Sequence, residues 1–337
     1  MNIKQSGMAE LYPLKFEPVL VDKIWGGNSL ALRWGKNADT GRRIGESWEI
    51  SGVPGNISVV SNGYLAGNNL QEIIEVYMGD ITGDSIYEKY ENEFPLLIKL
   101  IEAEDDLSVQ VHPGDLLARE RHGSYGKTEM WYILESRPGA KIFTGFSREV
   151  SRDKFLEAIG NNTLNGLLNT EASLKGDVYF TPAGRIHAIG AGNILAEIQQ
   201  TSDITYRIYD WNRKNADGTG RELHTALSLD AIDFTPTSRS AIRKEIHPDT
   251  TVNLVSCEYF ITNLLHFSSI IRKDYSFIDS FMIYICASGE LLIHWDGGVE
   301  SLKKGETILV PAMLNDIVLE PRPEAEILEV FVNSFIN

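Results

Sequence analysis

The sequence predicts a mainly β fold with a few helices, because short strand-like runs recur along its whole length. Glycine, proline or asparagine separates many of these runs. In the first 240 residues they are 47–50, 57–60, 96–102, 107–112, 130–134, 178–181, 195–200 and 205–209. Beyond them they are 259–265, 281–286, 290–295, 307–310 and 327–332. No stretch approaches the ~20 consecutive apolar residues that a membrane-spanning helix needs, so we expect no membrane association.

Two segments are predicted to be helical insertions in the N-terminal half. Asn69 is followed three residues later by Glu72, which is the pattern of a capping box, and apolar residues recur on one face before Gly79. This places one helix within about 68–80. A second helix is predicted within about 150–170, where the apolar pattern is clearest over residues 152–159. Both are expected to be scaffold elements.

The chain of 337 residues is long enough for two domains, at the usual ~100–200 residues each. The segment 228–248 contains Pro236 and the dipeptide His247-Pro248, and we place the junction there, at about residue 240. The prediction is a larger domain over 1–240 that carries the helical insertions, and a smaller β domain over 241–337.

Composition narrows the function. A net charge of −16 argues against nucleic-acid binding, which needs a basic surface, and any anionic substrate would need locally convergent cations. Phosphate-loop spacings of glycine and lysine are absent, so no nucleotide cofactor is expected. Cys257 and Cys286 are predicted to be free thiols in apolar surroundings, and residues 1–8 lack the apolar core of a secretory signal. We expect a cytoplasmic protein, and the sequence leaves its oligomeric state open.

Four potential metal ligands lie in or beside the predicted strands. Alternation along residues 106–113 puts Gln110 and His112 on one face, where exposure to solvent is the ordinary explanation of a polar face. Glu129, however, opens an apolar, aromatic run that should be buried, and a buried carboxylate requires a cation or a paired group. His187 ends a turn that Pro182 and the following glycine impose. We therefore expect these side chains to meet at a metal site.

The spacing that ends at His187 resembles the second sequence motif of the cupin barrels. It runs from Gly176 over five residues to Pro182, then to Gly184 and, after two residues, to His187. The first cupin motif is less regular, since Gln110 replaces a histidine and Glu129 follows an insertion. The resemblance implies a jelly-roll β-barrel.

A second copy of the motif begins at Gly305, which is followed after five residues by Pro311. Met313 replaces the second glycine, and no histidine follows at the ligand position. The C-terminal domain is thus predicted to be a second cupin-type barrel that lacks metal ligands.

Four segments, 94–99, 107–113, 126–132 and 197–207, resemble the type I phosphomannose isomerases, in particular the shorter bacterial form. The resemblance extends from about Tyr12 to Arg213. It implies a zinc enzyme that interconverts mannose 6-phosphate and fructose 6-phosphate, with one zinc ion per chain. By this resemblance the metal ligands are Gln110, His112, Glu129 and His187, the residue regarded as catalytic is Arg207, and the pocket is lined by Lys99, Ser108, Lys127 and Glu197.

The ligand types themselves are compatible with more than one metal. Two imidazoles, a carboxylate and an amide oxygen suit zinc, but iron, manganese or other divalent ions could occupy the same set in vitro. The choice of zinc follows from the resemblance.

An aldose–ketose isomerase needs an acid–base group and a group that stabilises an enediolate. The metal could stabilise that charge, and the base candidates are Glu197, Lys127 and a metal-bound hydroxide. Arg207 could orient the substrate, bind its phosphate or stabilise developing charge. The alternatives from other classes are a different metal-dependent reaction and a sugar-phosphate-binding protein without catalysis.

Overall fold

The computed structural model describes residues 10–37, 39, 41–214, 217–237 and 240–332. Residues 1–8, on which the expectation about a secretory signal rests, lie outside these ranges. Within them, none of the helices combines the length and apolar character required to cross a membrane.

The described chain is mainly β, as predicted. Its strands are β1 (Leu14–Glu17), β2 (Val19–Gly27), β3 (Ile44–Ser51), β4 (Val59–Val60), β5 (Leu96–Ala103), β6 (Val109–Val111), β7 (Glu129–Ser136), β8 (Lys141–Phe146), β9 (Leu168–Ala172), β10 (Val178–Thr181) and β11 (His187–Ile189). They continue with β12 (Asn193–Gln200), β13 (Tyr206–Tyr209), β14 (Ala241–Ile242), β15 (Thr250–Ser256), β16 (Ile261–Phe267), β17 (Ile271–Asp274), β18 (Met282–Trp295), β19 (Gly298–Lys303), β20 (Thr307–Val310) and β21 (Asp316–Phe331).

The helices are short. They are α1 (Ser29–Arg33), α2 (Leu70–Tyr77), α3 (Gly79–Thr82), α4 (Asp84–Tyr90), α5 (Asp115–His122), α6 (Arg152–Gly160) and α7 (Thr225–Ala231). In α2 the Asn69 side chain accepts from the Glu72 N–H at 3.0 Å, and the Glu72 carboxylate accepts from the Asn69 N–H at 2.9 Å, which completes the capping box. The apolar pattern after α6 is a 3-10 turn at Leu164–Leu167 that leads into β9, so only part of 150–170 is helical.

The contacts divide the described chain into two compact units. The described parts of Met1–Glu17, Ile57–Phe94 and Lys244–Asn337 form the terminal unit, and those of Pro18–Asn56 and Pro95–Arg243 form the central unit. This division differs from the contiguous domains 1–240 and 241–337, since β1 pairs with β20 and with β4 in the terminal unit. Helix α2 therefore belongs to the terminal unit. Strands this far apart in the sequence have no local sequence pattern that would predict their pairing.

The central unit consists of two antiparallel sheets. One has the order β14-β10-β7-β12-β5-β3-β2, and the other β13-β6-β11-β8-β9. Trp131, Ile133 and Leu195 of the first sheet share a core with Ile142 and Ile189 of the second, so the two inner faces pack together.

Neither sheet of the central unit closes on itself among the described residues. Strands β14 and β2 are the edges of one sheet, and β13 and β9 are the edges of the other. The prediction of closed barrels is therefore wrong for this part of the chain, because the edge strands do not pair with one another.

The terminal unit is built on one nine-stranded sheet. Its main path is β15-β16-β21-β18-β20-β1-β4, with β17 added to β21 and β19 added to β18. The predicted strands 281–286 and 290–295 are a single strand, β18, which is interrupted by two bulges, at Cys286/Ser288 and Gly289/Leu291. A bulge shifts the side-chain alternation and makes one strand look like two in sequence.

The glycine that begins each motif makes the same turn in both units. In the central unit the Gly176 N–H donates to the Ile133 carbonyl at 2.8 Å, and in the terminal unit the Gly305 N–H donates to the Cys286 carbonyl at 2.9 Å. Both glycines have a φ of +85°, which only glycine adopts without strain. A four-residue strand, β10 or β20, follows each turn and ends immediately before a proline.

Strand register extends this repeat beyond the turn. In the central unit Glu197 of β12 lies opposite Trp131 of β7, and in the terminal unit Glu329 of β21 lies opposite Tyr284 of β18. Both strand pairs then carry a register shift at the same place, two residues beyond the central residues Trp131 and Tyr284. The two units therefore share a four-strand framework in which Glu329 is the counterpart of Glu197.

The same correspondence accounts for the missing ligands. Met282 takes the place of Glu129 as the first residue of its strand, and Asp316 takes the place of His187 after the second motif. Met282 is buried and Asp316 is exposed. The terminal unit lacks the carboxylate and the histidine at these two positions.

Glu329 is nevertheless buried, and the terminal unit satisfies it with its own donors. Tyr275 Oη donates to Glu329 Oε1 at 2.6 Å, and Lys273 Nζ lies 2.9 Å from the same oxygen. Asn263 Nδ2 donates to Oε2 at 2.8 Å, and Tyr284 Oη bonds to Tyr275 Oη. These partners satisfy both oxygens of the carboxylate within one hydrogen-bonded network.

We predict that Glu329→Leu destabilises the protein by about 2–4 kcal/mol, because the Lys273 ammonium loses its carboxylate partner and the donors of Tyr275 and Asn263 lose an acceptor. Urea unfolding followed by tryptophan fluorescence measures the change. The control is Glu290→Leu, which removes an exposed carboxylate 3.9 Å from Lys303 and should cost less than about 1 kcal/mol. Equal losses from both variants would contradict the role of the buried network.

Candidate metal centre

Three adjacent strands of the five-stranded sheet hold one row of polar residues. Gln110 of β6 lies opposite His187 of β11 on one side and opposite Arg207 of β13 on the other. Residues directly opposite each other in a sheet share a face, so all three belong to the same face. Glu129 begins β7 in the other sheet, and His112 follows β6 directly.

All four predicted ligands come together at one point between the sheets. His187 Nε2 lies 3.3 Å from Glu129 Oε1, and His112 Nε2 lies 3.5 Å from Glu129 Oε2. One ligand atom from each of these three residues lies within 4.8 Å of the other two. The Gln110 amide is 3.3 Å from His187 Nε2. The three ionisable side chains are at most 1% exposed.

The hydrogen bonds that the two histidines make through Nδ1 leave Nε2 as the ring atom that can bind a metal. His112 Nδ1 lies 2.8 Å from the Ile204 carbonyl, and His187 Nδ1 lies 2.8 Å from the Arg185 carbonyl. Since a carbonyl only accepts, Nδ1 carries the proton in both rings and Nε2 keeps its lone pair.

The remaining polar atoms of the centre also fit a cation. Among the residues that the structure describes, Glu129 Oε1 is buried without a hydrogen-bond partner, and a bound cation would satisfy such a carboxylate oxygen. Gln110 directs its amide nitrogen at His187, so exchange of the amide nitrogen and oxygen would present the oxygen to a metal. The residues present therefore suit a divalent ion.

Burial sets the protonation states of the centre. It lowers the pKa of His112 well below its usual value and that of His187 to about 4, so both imidazoles are neutral at neutral pH. Burial also raises the pKa of Glu129 to about 7. Both imidazoles can therefore bind a metal through a lone pair, and Glu129 is readily protonated in the metal-free site.

Lys127 is the nearest cation to the ligand set. Its Nζ lies 2.6 Å from Glu129 Oε2 and 3.2 Å from His112 Nε2. The loop that carries it is fixed by two side chains: the Gly126 N–H donates to Asp115 at 2.8 Å, and the Thr128 N–H donates to Gln200 at 2.8 Å. Lys127 precedes β7, so this loop, and not strand alternation, brings it to Glu129.

A second cluster of polar side chains lies across neighbouring strands of the seven-stranded sheet. Lys99 of β5 lies opposite Glu197 of β12, with 3.2 Å between Nζ and Oε1, and Trp131 Nε1 donates to Glu197 Oε2 at 2.9 Å. Burial alone would raise the pKa of Glu197, but Lys127 and Lys99 outweigh it and hold the pKa at about 2. Glu197 is therefore a carboxylate across the physiological range of pH.

The pocket also holds an ion pair that the sequence does not predict, between Lys23 and Glu46. Their charged atoms are 3.0 Å apart, and the Glu46 carboxylate accepts from Trp48 Nε1 at 2.7 Å. Burial would raise the pKa of Glu46, yet Lys99 and Lys23 lower it. The available signal was a charged residue within β3, all of whose residues are buried.

Beside the ligand set lies a pocket of about 720 Å³, counting the space open to solvent. Among its walls are the predicted residues Lys99, Ser108, Gln110, Lys127, Glu197 and Arg207, together with Lys23, Trp25, Glu46 and Arg221, which the sequence does not single out. Gln110 is the predicted ligand in this lining, so the pocket borders the metal centre and also presents several cations, as a site for a small anionic substrate requires.

Comparison with known proteins identifies the family. Residues 14–142 match the model of the phosphomannose isomerase type I catalytic domain. The mannose-6-phosphate isomerase ManA of Bacillus subtilis is 34% identical over 317 residues, which cover 91% of this chain and 96% of the relative. The chain belongs to the type I phosphomannose isomerase family.

Solved structures of this family share the fold. The crystal structure of the mannose 6-phosphate isomerase from Bacillus subtilis has a TM-score of 0.81 at 30% identity, and the match covers 94% of this chain and 99% of that one. A mannose 6-phosphate isomerase bound with zinc and yttrium has a TM-score of 0.74 at 14% identity, over 95% of this chain and 99% of that one, which shows the fold alone.

We predict that His187→Ala weakens zinc binding by more than the roughly 10- to 100-fold typical of an outer-shell change, because it removes a direct ligand. Titration with a competing chromogenic chelator measures the affinity. His122→Ala is the matched control: this histidine bonds to Tyr206 Oη at 2.8 Å, outside the ligand set, and its loss should leave the affinity unchanged. Zinc affinity retained in His187→Ala would remove His187 from the ligand set.

We also predict that zinc affinity falls as the pH drops below 7. Glu129 has a pKa of about 7 in the metal-free protein, and a metal binds its deprotonated form, so below that pH binding must release a proton. The dissociation constant should rise about tenfold per pH unit below 7, until His187 begins to protonate near 4. Calorimetry in buffers of different ionisation enthalpy counts the released protons. A pH-independent proton count of zero between pH 5 and 7 is the contrary result.

Proposed function

We propose that the protein interconverts mannose 6-phosphate and fructose 6-phosphate in this pocket, with one zinc ion held by Gln110, His112, Glu129 and His187. The observation that carries the proposal is a buried ligand set beside a pocket with several cations, in a phosphomannose isomerase family member. Two neutral imidazoles, a carboxylate and an amide form the ligand set, and such nitrogen and oxygen donors suit zinc. Bound there, the metal would supply Lewis acidity toward a substrate oxygen.

The reaction moves one proton between neighbouring carbons and another between their oxygens, so the protein must hold and move protons at fixed atoms. Glu197 is the weaker candidate for the base, because a pKa of about 2 is far from the near-neutral value that favours proton transfer. We assign proton transfer to Lys127, whose Nζ lies between Glu129 at 2.6 Å and Glu197 at 4.0 Å. Glu197 is then the residue that positions Lys99 and Lys127.

We further propose that the two units are copies of one cupin-type framework, of which only the central copy keeps the chemistry. The shared turn at Gly176 and Gly305 and the matching positions of Glu197 and Glu329 support this. Replacement of a metal ligand by Met282 supports the loss of the metal from the terminal copy.

The activity test uses zinc-loaded protein with fructose 6-phosphate in D₂O, followed by NMR. We expect an aldose phosphate signal and deuterium at the carbon that receives the proton, and we expect a chelator to abolish both. If no aldose phosphate forms with zinc, manganese or cobalt, the isomerase proposal fails and a different metal reaction or simple binding becomes the better account.

We predict that Lys127→Met lowers kcat by roughly 100- to 10,000-fold, as expected for loss of an acid–base group, while zinc remains bound. Glu197→Gln should lower kcat less, because it keeps the size and one hydrogen bond of the side chain. Lys175→Met, which removes an exposed lysine outside the pocket, is the charge-matched control and should have no effect. A larger loss of kcat in Glu197→Gln than in Lys127→Met would reverse the assignment.

A further inference from the structure

The pocket has two regions that differ in charge balance. In the region next to the ligand set, each lysine is paired with a buried carboxylate. The pairs and their N–O distances are Lys23 with Glu46 at 3.0 Å, Lys99 with Glu197 at 3.2 Å, and Lys127 with Glu129 at 2.6 Å. These lysines carry little uncompensated charge, so they are poor sites for the charge of a phosphate.

Arg207 is different, because no carboxylate within the described part of the chain forms a salt bridge with it. Its Nη1 donates to the Glu222 carbonyl at 2.9 Å, which is a neutral acceptor, and its Nε is buried without a hydrogen-bond partner among the described residues. Burial and the neighbouring Arg221 both lower the pKa of Arg207. Two guanidinium groups that lie close enough to repel each other can both contact one bound anion.

Arg221, which also lines the pocket, is held in place by Asp210. Arg221 Nε donates to Asp210 Oδ2 at 2.8 Å and its Nη2 donates to Oδ1, a two-point contact that leaves Nη1 available. Asp210 also accepts from Arg213 Nε at 3.1 Å, so one carboxylate serves two guanidinium groups. The pocket wall in this region presents the two guanidinium groups of Arg207 and Arg221 and one lining carboxylate, that of the exposed Asp203.

The segment that carries Arg221 is fixed to the strand that carries Arg207. The Arg207 N–H donates to His224 Nδ1 at 3.0 Å, and the His224 N–H donates to the Arg207 carbonyl at 2.7 Å. The two arginines are therefore positioned by one local structure.

We propose that Arg221 is a phosphate-binding residue of the pocket, that it acts beside Arg207, and that Asp210 is the residue that positions it. The inference rests on the proposed function, since it names the residues that recognise the phosphate of the sugar phosphate. Guanidinium groups bind phosphate through paired N–H donors, and a guanidinium already held by a carboxylate loses little conformational freedom on binding. Two guanidinium groups on one pocket wall present converging N–H donors to an anionic ligand.

The test compares Arg221→Gln and Asp210→Asn with the charge-matched control Arg137→Gln. Arg137 is exposed, is paired with Glu104 at 2.9 Å, and lies outside this pocket. Zinc-loaded protein is titrated with fructose 6-phosphate by calorimetry, and with inorganic phosphate by ³¹P NMR. Turnover of fructose 6-phosphate and of unphosphorylated fructose is measured in parallel.

For Arg221→Gln we expect fructose 6-phosphate and inorganic phosphate to bind roughly 10- to 100-fold more weakly, the loss of one charge-assisted contact. KM for the phosphorylated sugar should rise by a similar factor while turnover of fructose is unchanged. Asp210→Asn should show the same split to a smaller degree, because its amide still bonds to Arg221. Arg137→Gln should behave as the wild type.

Three outcomes overturn the proposal: Arg221→Gln that binds both ligands as tightly as the wild type, equal losses with fructose and fructose 6-phosphate, or a wild type that binds neither phosphate. Asp210→Asn tests the same site on its own, so the proposal stays falsifiable if Arg221→Gln does not fold: an Asp210→Asn variant that binds both phosphates as tightly as the wild type would then overturn it. If the wild type binds both phosphates through Arg221 but never isomerises the sugar, the phosphate site stands and the proposed function fails.

Discussion

The arrangement of the pocket depends on the burial of one carboxylate, Glu129. At 0% exposure and with one oxygen lacking a hydrogen-bond partner, it cannot keep its charge without a cation nearby, and its pKa of about 7 records that cost. Lys127 reaches it from a fixed loop, and two histidines face it with their Nε2 atoms. The two sheets of the central unit place these groups around the carboxylate, so the ligand atoms that a divalent ion would need converge at one point.

The terminal unit shows the opposite solution to the same constraint. Its framework also buries a carboxylate, Glu329, at the position that corresponds to Glu197. There, however, Tyr275, Lys273 and Asn263 surround the group, and Met282 removes the need for a cation where Glu129 stands in the other unit. A closed polar network stabilises a fold, whereas an incompletely satisfied network that opens into a pocket can bind a ligand. The two units therefore differ in a few hydrogen-bond donors around the buried carboxylate, and not in the arrangement of their strands.

The sequence could predict those features whose signals are local. The spacing from Gly176 to His187, the alternation at Gln110 and the charged start of an apolar strand at Glu129 predict a meeting of four side chains, and the structure brings them together. The capping box at Asn69 likewise marks its helix. The choice of Lys23 as the partner of Glu46 and the pairing of β1 with β20 have no such signal, because they depend on contacts between separate segments of the chain. Sheet closure was predicted wrongly for the same reason: whether edge strands pair is decided by tertiary geometry.

The separation of charge within the pocket has a consequence for orientation. A protein of net charge −16 repels an anionic sugar phosphate at long range, so recognition must come from a local excess of positive charge. Lysines that are paired with Glu46, Glu129 and Glu197 do not provide that excess, whereas Arg207 donates to a neutral carbonyl and shares the pocket wall with Arg221. A phosphate held by the arginines leaves the sugar carbons for the region of the lysine–carboxylate pairs and the metal ligands. Binding energy from a group that does not react is thereby used to orient the carbons that do.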